Sequence, residues 1–404
     1  PSSNDDGPVM PKRADTDLPS VLNAAMTLVA ANGLGGLSLR PLAEQLDTTV
    51  SALSHRFGLK DTLVASLIAA ARAEDGAFLD RWLTRIRALD VRDGALLGDL
   101  VDAVVGDMVG VAALRTRFYC ELIQGAPSHP EIAASLSAWQ VQRLTFWRAV
   151  AAPLGRAELG DVLHAFSTDE IAHGLAIGEL AAYRWLRRLN LQRLCGELVR
   201  RPDSPDLSQF AVFHAALGDA LDETGRYRTP AMSDWQTKAA RHISALIVEE
   251  GADAVTHRAV AARAGYANST LAYHFPRQDD LLKAGINDII VRVQGTVDAQ
   301  RMSEPEHELN SIEIARATFA IALVAARIPS LKPFAADMRR RRGENYLVRL
   351  NRLVDGEAPF DLLSAQAIAM TGIGQLLLDG VIDPAADTSS FALLDPLQAS
   401  ARLG

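Results

Sequence analysis

The sequence predicts an all-α protein made of two tandem units. Three observations carry this. Apolar residues recur at helical spacing along most of the 404 residues, and no stretch alternates as a strand would. Thr256–Leu282, THRAVAARAGYANSTLAYHFPRQDDLL, reads as two short helices around a tight turn, with a third helix directly behind. Ser38–Val64, SLRPLAEQLDTTVSALSHRFGLKDTLV, repeats that pattern without a gap.

Within the second copy, Thr256 is a good N-cap, and Val260, Ala261 and Ala264 share one helical face. Gly265 falls where the chain must turn sharply, because glycine tolerates positive φ. Asn268, Ser269 and Thr270 open the next helix, with Leu271 and Phe275 on its buried side; Pro276 stops it. Asp279 and Asp280 then suit the first turn of the helix that follows. Two short helices joined by a glycine-bearing turn form the helix-turn-helix, which sets its second helix in the DNA major groove.

The repeat is exact in register. Arg40, Ala43, Leu53, Phe57, Asp61 and Leu63 lie 218 positions before Arg258, Ala261, Leu271, Phe275, Asp279 and Leu281. The helix in front repeats too: Leu28, Val29 and Gly33 answer Leu246, Ile247 and Gly251. Solenoid repeats have periods of roughly 20–50 residues, so this spacing marks a duplicated domain.

AVAARAGYANSTLAYHFPRQDDLL resembles the DNA-binding signature of TetR-type repressors. Ala261, Gly265, Thr270, Leu271, Tyr273, His274, Phe275, Pro276, Asp280 and Leu281 fit that signature. Ala272 stands for the family's usual Tyr, and Gln278 for its Lys. The first copy keeps Ala43, Leu53, Phe57 and Lys60, but has Asp47 for the Gly, Ser54 for the Tyr and Arg56 for the His. The resemblance implies two TetR-like units in one chain, each a three-helix DNA-binding head plus a helical ligand-binding and dimerisation domain. The family's last two helices form a four-helix dimer interface. Ile177-Gly178-Glu179-Leu180 and Ile373-Gly374-Gln375-Leu376 would then pair the two halves as an intramolecular pseudo-dimer, with Gly178, Gly372 and Gly374 allowing close approach.

Composition narrows the class. The chain is 49% apolar, enough for large cores, and its two cysteines, Cys120 and Cys195, fit a reducing cytoplasm better than a disulfide framework. No apolar run approaches about 18–20 residues, so no membrane span is expected. The polar, Pro-containing first 17 residues show no secretory leader. A net charge of −8 means that any DNA contact must be local and salt-sensitive.

The expected order is a disordered tail at 1–17, a first head at 18–63, and a first helical domain at 64–222. A linker at 223–233 leads to a second head at 234–282 and a second helical domain at 283–404. Helices are expected at Leu18–Asn32 and Trp235–Glu250 opening the heads, with a continuous one through FSTDEIAHGLAIGELAAYRWLRRL and a late one through AQAIAMTGIGQLLLDGV. SEPEHE reads as a loop, and MRRRRGENYLVRLNRLV as a basic run.

The reading helices should be Thr48–Phe57 and Ala267–Phe275. Thr49 and Ser51 in the first, and Asn268 and Thr270 in the second, are placed to meet base edges, with Thr48, Ala267 and Ser269 beside them. Phosphate contacts fall to Ser38, Arg40, His55, Arg56 and Lys60, and to Thr256, Arg258, Tyr273, His274 and Gln278. The two sets differ, so double-stranded DNA with unlike half-sites is the expected partner. The resemblance also implies a small effector. Phe118, Tyr119, Trp139, Phe146, Trp147, His164, Phe166 and His173 suit an apolar or aromatic one in the first half. The same residues would equally serve as ordinary core.

Two other classes bear on the chain. Glu170-x-x-His173 has the spacing found in di-metal helical bundles, but the chain has no second helical copy; His307 sits between two glutamates in a loop. No nucleophile elbow, phosphate loop or zinc spacing appears, so no enzyme and no cofactor are expected. A protein-interaction module with degenerate heads is the other alternative.

Overall fold

The structure, a computed structural model, describes residues 17–196, 198, 205–223, 231–302, 311–344, 346–347, 350 and 360–382. Residues 1–16 of the expected tail, most of the expected linker, the SEPEHE loop with His307, and everything after 382 lie outside the described residues. Among the described residues all regular elements are helices.

The first half runs α1 (Leu18–Asn32), α2 (Leu39–Gln45), α3 (Val50–Phe57), α4 (Lys60–Ala88), α5 (Gly94–Val109), α6 (Ala113–Gly125), α7 (Pro130–Ala151), α8 (Ala157–Ile177), α9 (Ala181–Cys195) and α10 (Pro205–Glu223). The second runs α11 (Asp234–Glu250), α12 (His257–Ala264), α13 (Asn268–His274), α14 (Gln278–Met302), α15 (Ser311–Ala325), α16 (Lys332–Arg341) and α17 (Leu362–Ile382).

The heads are punctuated as the repeat demands. Asp17 caps α1 by accepting from Ser20 N at 2.9 Å, and Ser233 caps α11 through a reciprocal capping box with Gln236. Thr256 accepts from Ala259 N at 3.1 Å, as expected of a cap. The turn between the two reading-motif helices takes positive φ in both copies: +70° at Gly265 and +48° at its counterpart Asp47. Asp is one of the few side chains that visits this region, which explains how the first copy manages without the glycine.

One expected helix is two. The chain breaks after Ile177, and Gly178–Leu180 separates α8 from α9. A Cβ on Gly178 would fall 2.4 Å from Gly174 O, so this glycine makes the break rather than a helix–helix contact.

Gly374 does the packing. A Cβ there would fall 1.8 Å from Ala165 O, so α17 lies close along α8 at this point. The cores are shared across this seam. Phe319, Leu323, Ile368, Met370 and Leu377 of the second half bury with Trp139, Leu163 and Phe166 of the first. Tyr183, Leu186, Phe210 and Leu217 of the first half bury with Ile243, Leu271, Ile321 and Leu331 of the second.

Among the described residues one helix does have the length and apolarity to cross a membrane, contrary to the sequence reading: Leu362–Val381, with a mean hydropathy of 1.2. It lies in α17, and 83% of that window is buried inside the chain, as the shared core requires.

Candidate nucleic-acid interface

Each head puts the first turn of its second short helix in the open. In α3, Leu53 turns inward, while Thr49, Val50, Ser51 and Ala52 are exposed. In α13, Leu271 turns inward, while Ala267, Asn268, Ser269 and Thr270 are exposed. The reading helices are shorter than expected because Thr48 and Thr49 precede α3, where Thr49 serves as N-cap to Ala52 N at 3.1 Å. Base contact by the Thr49 hydroxyl therefore competes with its capping bond.

Of the residues expected to meet DNA, Ser38, Thr48 and His274 are half-buried, and the other fourteen are exposed. Their surroundings sort them. Arg40 is held by Glu44 at 3.0 Å on the same helix turn. Gln278 donates to Val255 O at 2.9 Å and so ties α14 to the loop before α12. Tyr273 is 81% exposed, unusual for a large aromatic side chain with only a packing role. His55, Arg56 and Lys60 form a basic edge at the end of α3 and start of α4, and Arg258 is exposed at the start of α12.

His274 belongs to a cluster that the sequence did not disclose. Its ring stacks on Trp235 at 4.4 Å, and Trp235 also meets Tyr266 at 5.0 Å. The repeat places Asp17 opposite Trp235, Thr48 opposite Tyr266 and Arg56 opposite His274. In the first head Asp17 sits below the usual carboxylate range through its bonds to Ser20, with Arg56 assisting. A tryptophan at the start of a head helix was the available signal. Arg263 forms two bonds to Glu249 at 2.8 and 2.6 Å and braces the head.

The heads meet each other. The short turn Leu34–Gly36 of the first contacts Ala252–Ala254 of the second, and these turns are equivalent in the repeat. The second head is also clamped from behind. Arg316 donates to Val248 O at 2.8 Å and Glu249 O at 3.0 Å, and Gln124 of the first half donates to Val248 O at 3.2 Å. These bonds satisfy carbonyls that end α11 without helical partners.

The residues expected to line an effector pocket are all buried, and the six Phe, Tyr and Trp among them sit in the core shared with Phe319 and Ile368. That core is organised on Asp75, which accepts from Trp139 Nε1 at 2.7 Å and from Arg143 Nε at 2.8 Å, while the Arg143 guanidinium lies 3.8 Å from the Tyr119 ring centre. Burial pushes Asp75 up, but Arg143 and these bonds outweigh it, and its carboxyl stays below the usual range. Burial, with Arg143 near, brings His164 down to about 3. His173 lies apart, at the seam. Among the described residues no three His, Cys, Asp or Glu side chains converge as a metal set, and Glu170 pairs with Arg339 at 3.0 Å.

The family model described as bacterial regulatory proteins, tetR family, matches residues 21–67 and again residues 241–284. No curated protein matches the chain. Those two stretches contain most of α1, α2 and α3 with the start of α4, and most of α11, α12 and α13 with the start of α14. The tetR family's DNA-binding domain thus matches this chain twice, in tandem.

Proposed function

We propose that this chain is a cytoplasmic transcriptional repressor whose two heads read one operator with unlike half-sites, and which leaves it when a small molecule binds. The observation that carries this reading is the pair of exposed reading turns, Thr49–Ala52 and Ala267–Thr270, on heads that touch within one chain. The shared core supports a single chain as the working unit, because neither half keeps its apolar residues to itself. Successive major grooves are about 34–36 Å apart, and the contact between the head turns gives a fixed base for that span.

Selection of binding sites from random DNA with the full chain tests the proposal. The expected product is one asymmetric site bound by one chain, weakening steeply with salt. Failure to enrich any sequence refutes it. Enrichment of only one half-site supports the interaction-module alternative for the first head, where Arg40 is already held by Glu44.

A further inference from the structure

One buried part of the seam between the halves is polar. Asp169, Glu170 and His173 project from α8, and Arg339 and Arg342 stand at the end of α16; all five are buried. Glu170 Oε2 accepts from Arg339 Nε at 3.0 Å, Arg342 Nη2 lies 3.6 Å from Asp169 Oδ2, and His173 Nε2 lies 3.8 Å from Asp169 Oδ1. These pairings use only part of the bonding capacity. Among the described residues, both Asp169 oxygens, Glu170 Oε1, both His173 ring nitrogens, both Arg339 Nη atoms, and Arg342 Nε and Nη2 find no hydrogen-bond partner. Protein interiors leave only a few such atoms per hundred residues, and here nine meet in one place.

The arrangement occurs once per chain. Aligning Ile177-Gly178 with Ile373-Gly374 places Ala365, Gln366 and Ala369 opposite Asp169, Glu170 and His173. The same alignment places Arg143 opposite Arg339, and Arg143 is already bonded to Asp75 at 2.8 Å. The duplicate position therefore carries neither the carboxylates nor an uncommitted guanidinium.

We propose that this cluster is the chain's effector site and that its ligand is a small zwitterion, an α-amino acid or a close analogue. The ligand carboxylate would take the unshared N–H groups of Arg339 and Arg342, and its ammonium would take Asp169 and Glu170. The donors stand on one half and the acceptors on the other, so one molecule with both charges ties the halves together. An anion alone would leave the carboxylates bare, a cation alone would leave the guanidiniums bare, and an apolar molecule would leave both. The opposite charges of the site balance, which suits a ligand of no net charge. His173 is neutral there, because burial, with Arg342 and Arg339 near, holds its pKa well below the usual value. Entry requires the end of α16 to lift, and Arg342 is its more exposed guanidinium. Of the lining expected from sequence, only His173 belongs to this site. The term effector rests on the regulator reading; the binding itself does not.

The test uses the full chain without DNA and the twenty common amino acids, each in excess, by thermal shift and calorimetry. At least one should raise the melting temperature and bind once per chain. The amine lacking its carboxylate, and the acid lacking its ammonium, should each bind at least about ten-fold more weakly. Arg342→Gln and Asp169→Asn should each weaken binding by a similar factor. Binding by no amino acid, equal binding of either truncated probe, or two sites per chain would overturn the proposal. Should the variants fail to fold, the truncated probes decide on the unaltered chain. A positive result beside a failed operator selection removes the regulator reading and leaves the site; the reverse leaves a DNA reader without it.

Discussion

Gly35 and Asp253 stand at equivalent positions of the two repeats, 218 residues apart, and they touch: a methyl group on Gly35 would lie 3.2 Å from Asp253 Cβ. Gly33 is tighter still, because a Cβ there would fall 1.6 Å from Asp253 Oδ2. Asp253 is paired with Arg327, which also lies 3.6 Å from Glu121 on α6, so the contact between the heads is tied to both cores.

Gly33→Ala should therefore move the heads. The residue has φ +70°, which adds backbone strain to the clash, and a stability loss of roughly 1–3 kcal/mol is expected. The specific outcome is a changed preference for spacing between half-sites, read by gel shift on a series of spacer lengths. An unchanged preference would show that this contact does not set the span.

Asp47 offers a test in the other direction. It holds φ +48° where its counterpart is Gly265. Asp47→Gly should leave stability unchanged or raise it by up to about 1 kcal/mol, since glycine's relief of the left-handed strain is partly offset by its greater unfolded-state freedom. Asp47→Val should cost at least about 1 kcal/mol, because a β-branched side chain fits this region poorly. Urea melts would show both; a stabilised Val variant would contradict the backbone argument.

The shared core predicts that the halves depend on each other. Expressed alone, a fragment of residues 231–404 would expose the faces of Phe319, Leu323 and Ile368 that the first half covers, and it should lack a cooperative melt. Mixing or co-expressing it with residues 1–223 should restore one. Phe319→Ala in the full chain should cost about 3–5 kcal/mol, as for other buried aromatics. A cooperative melt of the isolated second half would mean that its core is self-sufficient.

The heads were legible in the sequence because their determinants are local. Caps, a turn residue and i, i+4 apolar pairs fix helices within a few residues, so Leu18–Asn32 is found at the expected bounds. The exposed first turns of α3 and α13 follow from the same local determinants. The seam was only half legible: Gly374 signals close packing, but not what it packs against. The polar site was not legible at all. Arg339 lies in a run of four arginines that reads as a solvated basic face, yet it is fully buried against Glu170, 169 positions earlier. Nothing local to either residue records the other. Trp235 and His274 likewise pair across a head through tertiary packing alone.

Burial pushes the Asp169 carboxyl up to about 6 from an ordinary 3.8, with Arg342 opposing. Between those values the folded chain holds more protons than the unfolded one, so this group's contribution to stability falls as pH rises from about 4 to about 6. Asp169→Asn cannot ionise. It should match the native chain near pH 4 and exceed it at pH 7 by roughly 1–3 kcal/mol. Denaturant melts at the two pH values would measure the difference. A variant less stable than the native chain at pH 7 would mean that the ion pair with Arg342 outweighs the burial of the charge.

The last prediction concerns what each head reads. Asn268 and Thr270 are exposed in the second reading turn, where the first has Val50 and Ala52; only Ser51 and Ser269 coincide. Each base pair shows its own pattern of donors, acceptors and methyl groups in the major groove, so these two sets cannot prefer the same bases. Asn can bond adenine through two hydrogen bonds, and nothing in the first turn can replace it there. Asn268→Ala should relax preference in one half-site only, by roughly 1–3 kcal/mol. Lys60 lies outside the reading turn and is exposed at the start of α4. Lys60→Ala should weaken binding to all sequences about equally and lower the salt slope by about one. Site selection with each variant, followed by affinity measured across a salt series, separates these effects. A palindromic site among the winners, or a loss from Asn268→Ala spread over both half-sites, would mean that the heads read alike.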